Sequence, residues 1–179
     1  MPLPRCIRTA FDAEAGRLLA DGWREIGTLV TYAGTTPPFR GGVARSGTPD
    51  SIDTSLDKMI GKIEWGGRLW RDPEVSKETA LAETLRFVSK FQGDIWEDRR
   101  HNAGFVLIDE SAEQNSRVVL LGVLPEFRRK GIARWLLGAA RKPVLVAGTY
   151  ADNDASCALY TSLGMTILKR ERTFHKDVR

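Results

Sequence analysis

The chain has 179 residues, of which 42% are hydrophobic, and it carries a formal net charge of +4 with a sequence pI near 9.3. This composition predicts one buried core, and no apolar run is long enough to span a bilayer or to form a secretory signal. Two cysteines, Cys6 and Cys157, exclude a disulfide framework and a zinc pattern, so we expect a soluble cytoplasmic protein whose mild positive charge suits an anionic ligand better than nucleic acid.

The first 45 residues predict a helix and a strand that form an N-terminal appendage. Apolar side chains share one side of a helix from Asp12 to Asp21, Gly22 ends that helix, and residues 23–32 predict a strand. The same order of helix, glycine, large apolar residue and strand recurs around Gly164. We hypothesise that residues 1–45 are a degenerate copy of the later segment, with chance similarity as the alternative. A strand at residues 23–32 that failed to join a sheet would exclude the hypothesis.

A proline- and glycine-rich linker separates this appendage from the second predicted domain, residues 52–179. The linker, at residues 34–51, contains almost nothing apolar. Beyond it, the hydrophobic pattern predicts helices at residues 53–63 and 76–91, with a loop at residues 64–73 between them. Strands are predicted at residues 95–98, 103–109 and 116–123.

Residues 123–133 have the features of a backbone site for an anion. They follow the apolar run 117–124 and lead into a helix predicted from Ile132 to about residue 141. Amides at a helix start lack partners inside the helix and carry the positive end of its dipole. Gly131 lets the chain approach a phosphate without a Cβ, and Ala133 keeps the first turn slim. The basic residues on the approach are Arg128, Arg129 and Lys130. An ordinary helix preceded by a solvated basic turn is the alternative interpretation.

A second motif follows the buried strand predicted at residues 143–149. Asn153 is a good N-cap for a helix, and Gly164 suits the left-handed conformation that ends many helices. Tyr160 lies on the predicted helix between them, and Met165 supplies an apolar side chain just after it.

These two motifs resemble the coenzyme loop and the following helix of the GNAT N-acetyltransferase superfamily. The first family pattern, Arg-x-x-Gly-x-Ala, is matched by residues 128–133, and the second is Asn-x-x-Ala followed by Tyr and Gly-Phe. This chain has Ser156 where alanine is usual and Met165 where phenylalanine is usual. The resemblance implies a mixed α/β (α+β) fold with helices flanking a mostly antiparallel, split sheet. It would make residues 1–45 a degenerate acyltransferase half, and it suggests a homodimer by analogy.

The same resemblance implies acetyl-CoA as the acyl donor, and it implies no metal. Backbone groups of the strand at residues 117–124 would contact the pantetheine arm, and one of their N–H groups would polarise the thioester carbonyl. The residues that the resemblance assigns to the cofactor are Leu121, Gly122, Val123, Arg128, Arg129, Lys130, Gly131, Ile132, Ala133, Asn153 and Ser156.

Tyr160 is the candidate general acid, because a neutral phenol can protonate the departing thiolate of coenzyme A. A tyrosine packed on the core is the alternative interpretation. No general base stands out, and the candidates are Asp72, Asp109, Glu110, His101 and His175. Cys157 lies within the second helix without a flanking base and is interpreted as a structural thiol.

The acceptor is less constrained, because fold and cofactor do not determine the substrate. Residues 67–73 and 146–149 resemble, patchily, bacterial acyltransferases that act on nucleotide-linked amino sugars, such as TDP-fucosamine acetyltransferase. In that hypothesis aromatic side chains stack on a sugar or base and arginines bind phosphate. The candidate acceptor residues are Trp65, Arg68, Trp70 and Arg71. The alternatives are an acetyltransferase for protein termini, polyamines or other small amines, and a non-catalytic module that binds acyl-CoA or nucleic acid.

Overall fold

The computed structural model describes residues 3–39, 44–47, 59–63, 67–98 and 103–177. Its strands are β1 (Arg5–Thr9), β2 (Arg24–Thr35), β3 (Ala44–Gly47), β4 (Asp94–Asp98), β5 (Gly104–Asp109), β6 (Asn115–Val123), β7 (Val144–Tyr150) and β8 (Thr166–Lys176). Its helices are α1 (Asp12–Ala20), α2 (Arg68–Arg71), α3 (Lys77–Ser89), α4 (Ile132–Leu137) and α5 (Asp154–Ser162). No helix within these ranges is long and apolar enough to cross a membrane.

All of these strands form one sheet in the order β1-β8-β2-β7-β6-β5-β4-β3. Neighbouring strands are antiparallel except β6 and β7, which are parallel. The pairing of β6 with β7 runs only from the Asn115/Val144 pair to the Val118/Ala147 pair, so the two strands separate beyond Val118. The predicted architecture, a mostly antiparallel and split sheet flanked by helices, is therefore confirmed.

Both faces of the sheet are covered at β5, where successive side chains point to opposite faces. On β5, Val106 and Ile108 belong to a core cluster with α4 and α5. Phe105 and Leu107 belong to a second cluster with α3 and the segment 59–63. Every residue from Gly104 to Ile108 is buried, as expected for a central strand with helices on both sides.

Most predicted elements are present, and local interactions explain their ends. Ser76 caps α3, because its Oγ accepts a hydrogen bond from the Thr79 amide at 3.2 Å. The helix predicted from Ile132 to about residue 141 ends instead at Leu137, because the amides after it turn back to carbonyls three residues earlier. The helix predicted at residues 53–63 lies largely outside the described residues, and its end is helical. The short strands β1 and β3 are absent from the sequence-based prediction.

The N-terminal helix and strand share the sheet with the rest of the chain. β2 pairs with β7 on one side and with β8 on the other, so the strand predicted at residues 23–32 does join a sheet. β1 extends the sheet beyond β8, where Cys6 pairs with His175. On one face, α1 packs Leu18 against Phe174 of β8.

The elements β1-α1-β2 have counterparts in β7-α5-β8, and corresponding residues are separated by the same number of positions along the chain. α1 and α5 each contain 9 residues. Left-handed glycines follow them, Gly22 with φ +78° and Gly164 with φ +74°. The β2–β8 pairing has two register shifts, one that skips Ile26 in β2 and one that skips Leu168 in β8. These two residues occupy corresponding positions in the two segments. This correspondence indicates a local twofold axis near the centre of the β2–β8 pair.

Candidate active site

The separation of β6 from β7 leaves one edge of β6 without a strand. On its other edge, Leu121, Gly122 and Val123 pair with β5. Beyond Val118 the pairing with β7 stops. Backbone groups that point into the opening therefore lack a strand partner, and an extended ligand with its own amides can satisfy them. This edge contains the three residues that were predicted to contact the pantetheine arm.

The loop between β6 and α4, residues 124–131, presents a row of backbone amides and is called the amide-rich loop below. Residues Pro125–Phe127 form a short 3-10 turn, and Gly131 adopts φ +81° immediately before α4. Arg129 has φ +63°, the only positive value at a non-glycine residue within the described ranges. No amide from Arg129 to Ala133 donates to a backbone carbonyl of the described residues. Left-handed residues turn successive N–H groups toward one point, a geometry that binds anions.

The cationic side chains of this loop are all exposed, and two of them make local contacts. The Arg128 Nε donates to the Val123 carbonyl at 3.2 Å. The Lys130 ammonium lies 5.0 Å from the centre of the Phe127 ring. Ile132, the first residue of α4, packs against the core. The loop is thus anchored at both ends while its charges face solvent.

The start of α5 confirms the predicted cap. The Asn153 Oδ1 accepts a hydrogen bond from the Ser156 amide at 3.2 Å. The Sγ of Cys157 lies 3.7 Å from the carbonyl oxygens of Tyr150 and Ala151. These contacts attach the first turn of α5 to the end of β7, consistent with a structural thiol at residue 157.

Tyr160 extends from α5 into the core. The residue is 3% exposed, and its ring centre lies 5.4 Å from that of Tyr32 on β2. Burial, reinforced by the neighbouring Cys157 and Tyr32, raises the pKa of Tyr160 well above its usual value, so the phenol stays protonated at neutral pH. Tyr32 was not among the predicted site residues. Its one signal in the sequence is that its position in β2 corresponds to that of Phe174 in β8.

Arg71 connects α2 to the sheet instead of pointing freely into solvent. Its Nε donates to the Ile26 carbonyl at 3.0 Å, and its guanidinium forms an ion pair with Asp152. The same guanidinium lies 4.6 Å from the centre of the Tyr150 ring. A carboxylate therefore already balances the charge that was predicted to bind phosphate.

The other predicted acceptor residues are placed differently. Trp70 donates from Nε1 to Thr84 Oγ1 at 3.3 Å, which holds α2 against α3. Arg68, at the start of α2, is exposed. Trp65 lies outside the described residues. Of this set, Arg68 is the described residue most accessible to a ligand.

Two of the candidate general bases are engaged close to β5. Asp109 accepts a hydrogen bond from the Ser111 amide at 2.9 Å. Hydrogen bonds led by those from Ser111 lower the pKa of Asp109 to about 2, and such a carboxylate is a weak base at neutral pH. Glu110 accepts a hydrogen bond from the Ser116 hydroxyl at 2.7 Å.

The remaining base candidates include a buried pair. The His175 Nδ1 lies 2.7 Å from the Asp72 Oδ2, although the two residues are 103 positions apart. That separation is why no sequence pattern indicates the pairing. His101 lies outside the described residues. Within the described ranges, no group of three or more His, Cys, Asp and Glu side chains is arranged to hold a metal ion.

Solved structures show the same fold in other proteins. An acetyltransferase from the GNAT family of Novosphingobium aromaticivorans is 20% identical with a TM-score of 0.57, over 88% of this chain and 69% of that one. A GCN5-related N-acetyltransferase from Sphaerobacter thermophilus is 19% identical with a TM-score of 0.59, over 99% of this chain and 61% of that one. A conserved protein of unknown function from Staphylococcus epidermidis is 13% identical with a TM-score of 0.69, over 99% and 73%.

The chain thus spans 69% and 61% of the length of the first two of these proteins. No curated protein matches it significantly in sequence. A sequence model of the acetyltransferase (GNAT) family, however, matches residues 62–165, a segment that contains the split of the sheet, the amide-rich loop and α5. The chain therefore belongs to the acetyltransferase (GNAT) family.

Proposed function

We propose that this enzyme transfers an acetyl group from acetyl-CoA to a primary amine. The observation that carries the proposal is that the open edge of β6 runs directly into a loop of unpaired amides. Both lie inside the segment that matches the family, residues 62–165. One continuous stretch of backbone therefore suits the two polar parts of coenzyme A, its amide-containing arm and its diphosphate.

In this proposal the chain binds acetyl-CoA mainly through its backbone. Amides from Arg129 to Ala133 bind the diphosphate, and the absence of a Cβ at Gly131 leaves room for it. The exposed cationic side chains of the loop add attraction over a longer range. Leu121, Gly122 and Val123 hold the pantetheine arm, and an N–H from this strand polarises the thioester carbonyl. Asn153 and Ser156 form the wall on the α5 side.

The chemistry requires a neutral amine, a held thioester and a proton for the leaving thiolate. The amine nitrogen attacks the carbonyl carbon, and the carbon–sulfur bond to coenzyme A breaks as the amide forms. Tyr160 supplies the proton to the thiolate, because a phenol is protonated at neutral pH. Positioning two bound substrates in one cleft removes much of the entropic barrier, so no strong side-chain base is required for an amine of low pKa.

The acceptor that we propose is an amino sugar linked to a nucleotide. Its support is the resemblance of residues 67–73 to enzymes of that class and the exposure of Arg68 on α2. An exposed guanidinium suits a phosphate group better than it suits a polyamine, which is itself cationic. Because Arg71 is already paired with Asp152, the phosphate contact falls to Arg68.

Calorimetric titration with acetyl-CoA tests the cofactor site. We expect Arg128→Ala to weaken binding by about tenfold, the effect of losing one charged contact to a diphosphate. Arg86→Ala is the control, because Arg86 is also an exposed arginine, on α3, and its partner is the neighbouring Glu83. A parent protein with no measurable affinity for acetyl-CoA would contradict the proposal.

A thiol-release screen across amines tests the acceptor. We expect turnover with nucleotide-linked amino sugars, and Arg68→Ala should raise the KM for that acceptor about tenfold while leaving the affinity for acetyl-CoA unchanged. Turnover only with polyamines or peptide N-termini would reject the sugar acceptor and retain the acetyltransferase. Light scattering of the same preparation tests the predicted homodimer.

A further inference from the structure

Side chains from distant parts of the chain meet on the face of the sheet opposite α1. Cys6 on β1 and His175 on β8 are paired directly across the antiparallel strands. Because Phe174 packs on α1, its neighbour His175 faces the other way. There the His175 Nδ1 lies 2.7 Å from the Oδ2 of Asp72, the residue that follows α2. Arg24 on β2 places a guanidinium nitrogen 3.2 Å from the same oxygen.

The protonation of this group follows from its neighbours. Burial is the largest influence on Asp72 and raises its pKa, but the hydrogen bonds from His175, the Glu74 amide and Arg24 together outweigh it, so the pKa of Asp72 lies below its usual value. An ionised carboxylate only accepts hydrogen bonds. The His175 Nδ1 therefore carries the proton that faces Asp72. In the neutral ring, the lone pair is on Nε2.

That second ring nitrogen is buried and unused. His175 is 0% exposed, yet its Nε2 has no hydrogen-bond partner among the described residues. Buried polar atoms are rarely left in this state. Cys6, by contrast, is half-buried.

The thiol and the imidazole shift one another's pKa. Interaction with His175 is the largest reason that the pKa of the Cys6 thiol is lowered, against the opposing effect of burial and with help from Arg68. Burial lowers the pKa of His175, but Cys6 and Asp72 together raise it above its usual value. Mutual shifts of this kind favour a thiolate beside an imidazolium.

We propose that Cys6, His175 and Asp72 form a second site, in which the Cys6 sulfur accepts an acyl group from a thioester. Cys6 is the nucleophile, His175 is its base, and Asp72 is a positioning residue that fixes the tautomer of the ring. β8, β2 and β7 lie between β1 and β6. At the usual spacing of strands, this places Cys6 on the order of 20 Å from the open edge of β6.

The acyl transfer needs only the thiol, the imidazole and the thioester. His175 takes the proton of the Cys6 thiol, and the thiolate attacks the carbonyl carbon of the thioester. The Cys6 sulfur–carbon bond forms while the bond from that carbon to the leaving sulfur breaks, and His175 returns the proton to the leaving thiolate. The products are an acylated Cys6 and a free thiol. The inference rests on the proposed function in one respect only, namely that acyl-CoA is the acyl donor in the cell.

The second cysteine provides an internal control. The full chain is incubated with S-acetyl-N-acetylcysteamine, a small thioester, and acetylation is located by peptide mass mapping. We expect Cys6 to be acetylated about tenfold faster than Cys157, or more, and hydroxylamine to remove the acetyl group. Equal rates at the two cysteines, or no acetyl group on Cys6, would overturn the inference.

Replacing His175 tests the role of the base. His175→Gln should slow the acetylation of Cys6 by about tenfold or more, with circular dichroism as the check on folding. An unchanged rate in the folded variant contradicts the assignment. If this variant does not fold, the rate of Cys6 alkylation by iodoacetamide is measured against pH in Cys157→Ser. An inflection below about 8.5, the ordinary thiol value, supports the inference, and one at or above it overturns the inference.

The titration with acetyl-CoA keeps the two proposals separable. A chain that binds acetyl-CoA but leaves Cys6 unmodified by the small thioester overturns this inference alone. A chain that acetylates Cys6 without binding acetyl-CoA contradicts the proposed function alone.

Discussion

Replacing Gly131 with alanine is the sharpest test of the amide-rich loop. Gly131 has φ +81°, and a Cβ built there meets no heavy atom within 4 Å. The cost of the substitution is therefore conformational and not steric. Placing an L-residue in the left-handed region costs about 1–2 kcal/mol. The reduced entropy of the unfolded chain offsets about 0.4–1 kcal/mol of this cost. We expect Gly131→Ala to lower the free energy of unfolding by about 1 kcal/mol.

Gly22→Ala is a matched control, because Gly22 has φ +78° and equally open surroundings. Both variants should lose a few degrees of Tm, about 2–4 °C for a chain of this size. They should differ in affinity for acetyl-CoA. Relaxing the backbone at Gly131 misdirects an amide that binds the diphosphate, and a hydrogen bond to a charged group contributes about 1.5–3 kcal/mol.

Calorimetry on the two folded variants makes the comparison. Gly131→Ala should bind acetyl-CoA about 10–100-fold more weakly than the parent, the equivalent of that hydrogen bond. Gly22→Ala should bind it as the parent does. If both variants bind with parental affinity, the amides around Gly131 do not hold the cofactor, and the proposed site is wrong.

Three further outcomes are expected. Tyr160→Phe should lower kcat about a hundredfold without changing the affinity for acetyl-CoA, and an unchanged rate in the thiol-release assay would remove the tyrosine as general acid. Gly34→Ala should destabilise the chain by about 1–3 kcal/mol in urea unfolding, because its Cβ would lie 2.8 Å from the Cγ and 2.9 Å from the Cα of Met165; parental stability would show that the two strands move apart easily. The pKa of Asp109 is lowered to about 2, chiefly by hydrogen bonds from Ser111, so its stabilisation is present above about pH 4 and is lost as pH falls toward 2. Asp109→Asn should therefore lower the free energy of unfolding by about 1 kcal/mol at neutral pH, once solvent screening is allowed for. In acid, the stability of this variant should converge with that of the parent. A constant difference in stability from neutral pH to pH 2 would rule out the ionised carboxylate as the source.

Local patterns predict much of this fold, because the deciding interactions lie within a few residues. Asn153 and Ser76 act as caps where a side-chain oxygen can reach an amide three positions on. The apolar run that becomes β6 and the glycine at position 131 similarly determine their own surroundings. The α/β architecture and the amide-rich loop were therefore predictable from the sequence.

The rest depends on contacts between distant segments. β1 contains Arg-Cys-Ile-Arg-Thr, a composition that predicts no strand until β8 is available to pair with it. The partner of Arg71, Asp152, belongs to a different element, so no pattern around Arg71 reveals that its charge is balanced. Likewise, only the pairing of strands brings Cys6 beside His175.

We propose that residues 1–45 are a degenerate acyltransferase half and that residues 52–179 are the active one. The support is the constant spacing between β1-α1-β2 and β7-α5-β8, including equal helices and corresponding register shifts. In the N-terminal segment, Leu18 takes the position that corresponds to Tyr160. The degenerate half would thus retain the shape of the fold without its acid.

The position of β2 between β7 and β8 has a consequence for synthesis of the protein. Both neighbours of this early strand are translated much later, so on the ribosome its polar edges wait unpaired while the intervening segments emerge. Pairing at such long range is slow, and a waiting strand is prone to pair with another nascent chain. Cellular yield should therefore depend on chaperones that shield this segment until translation ends.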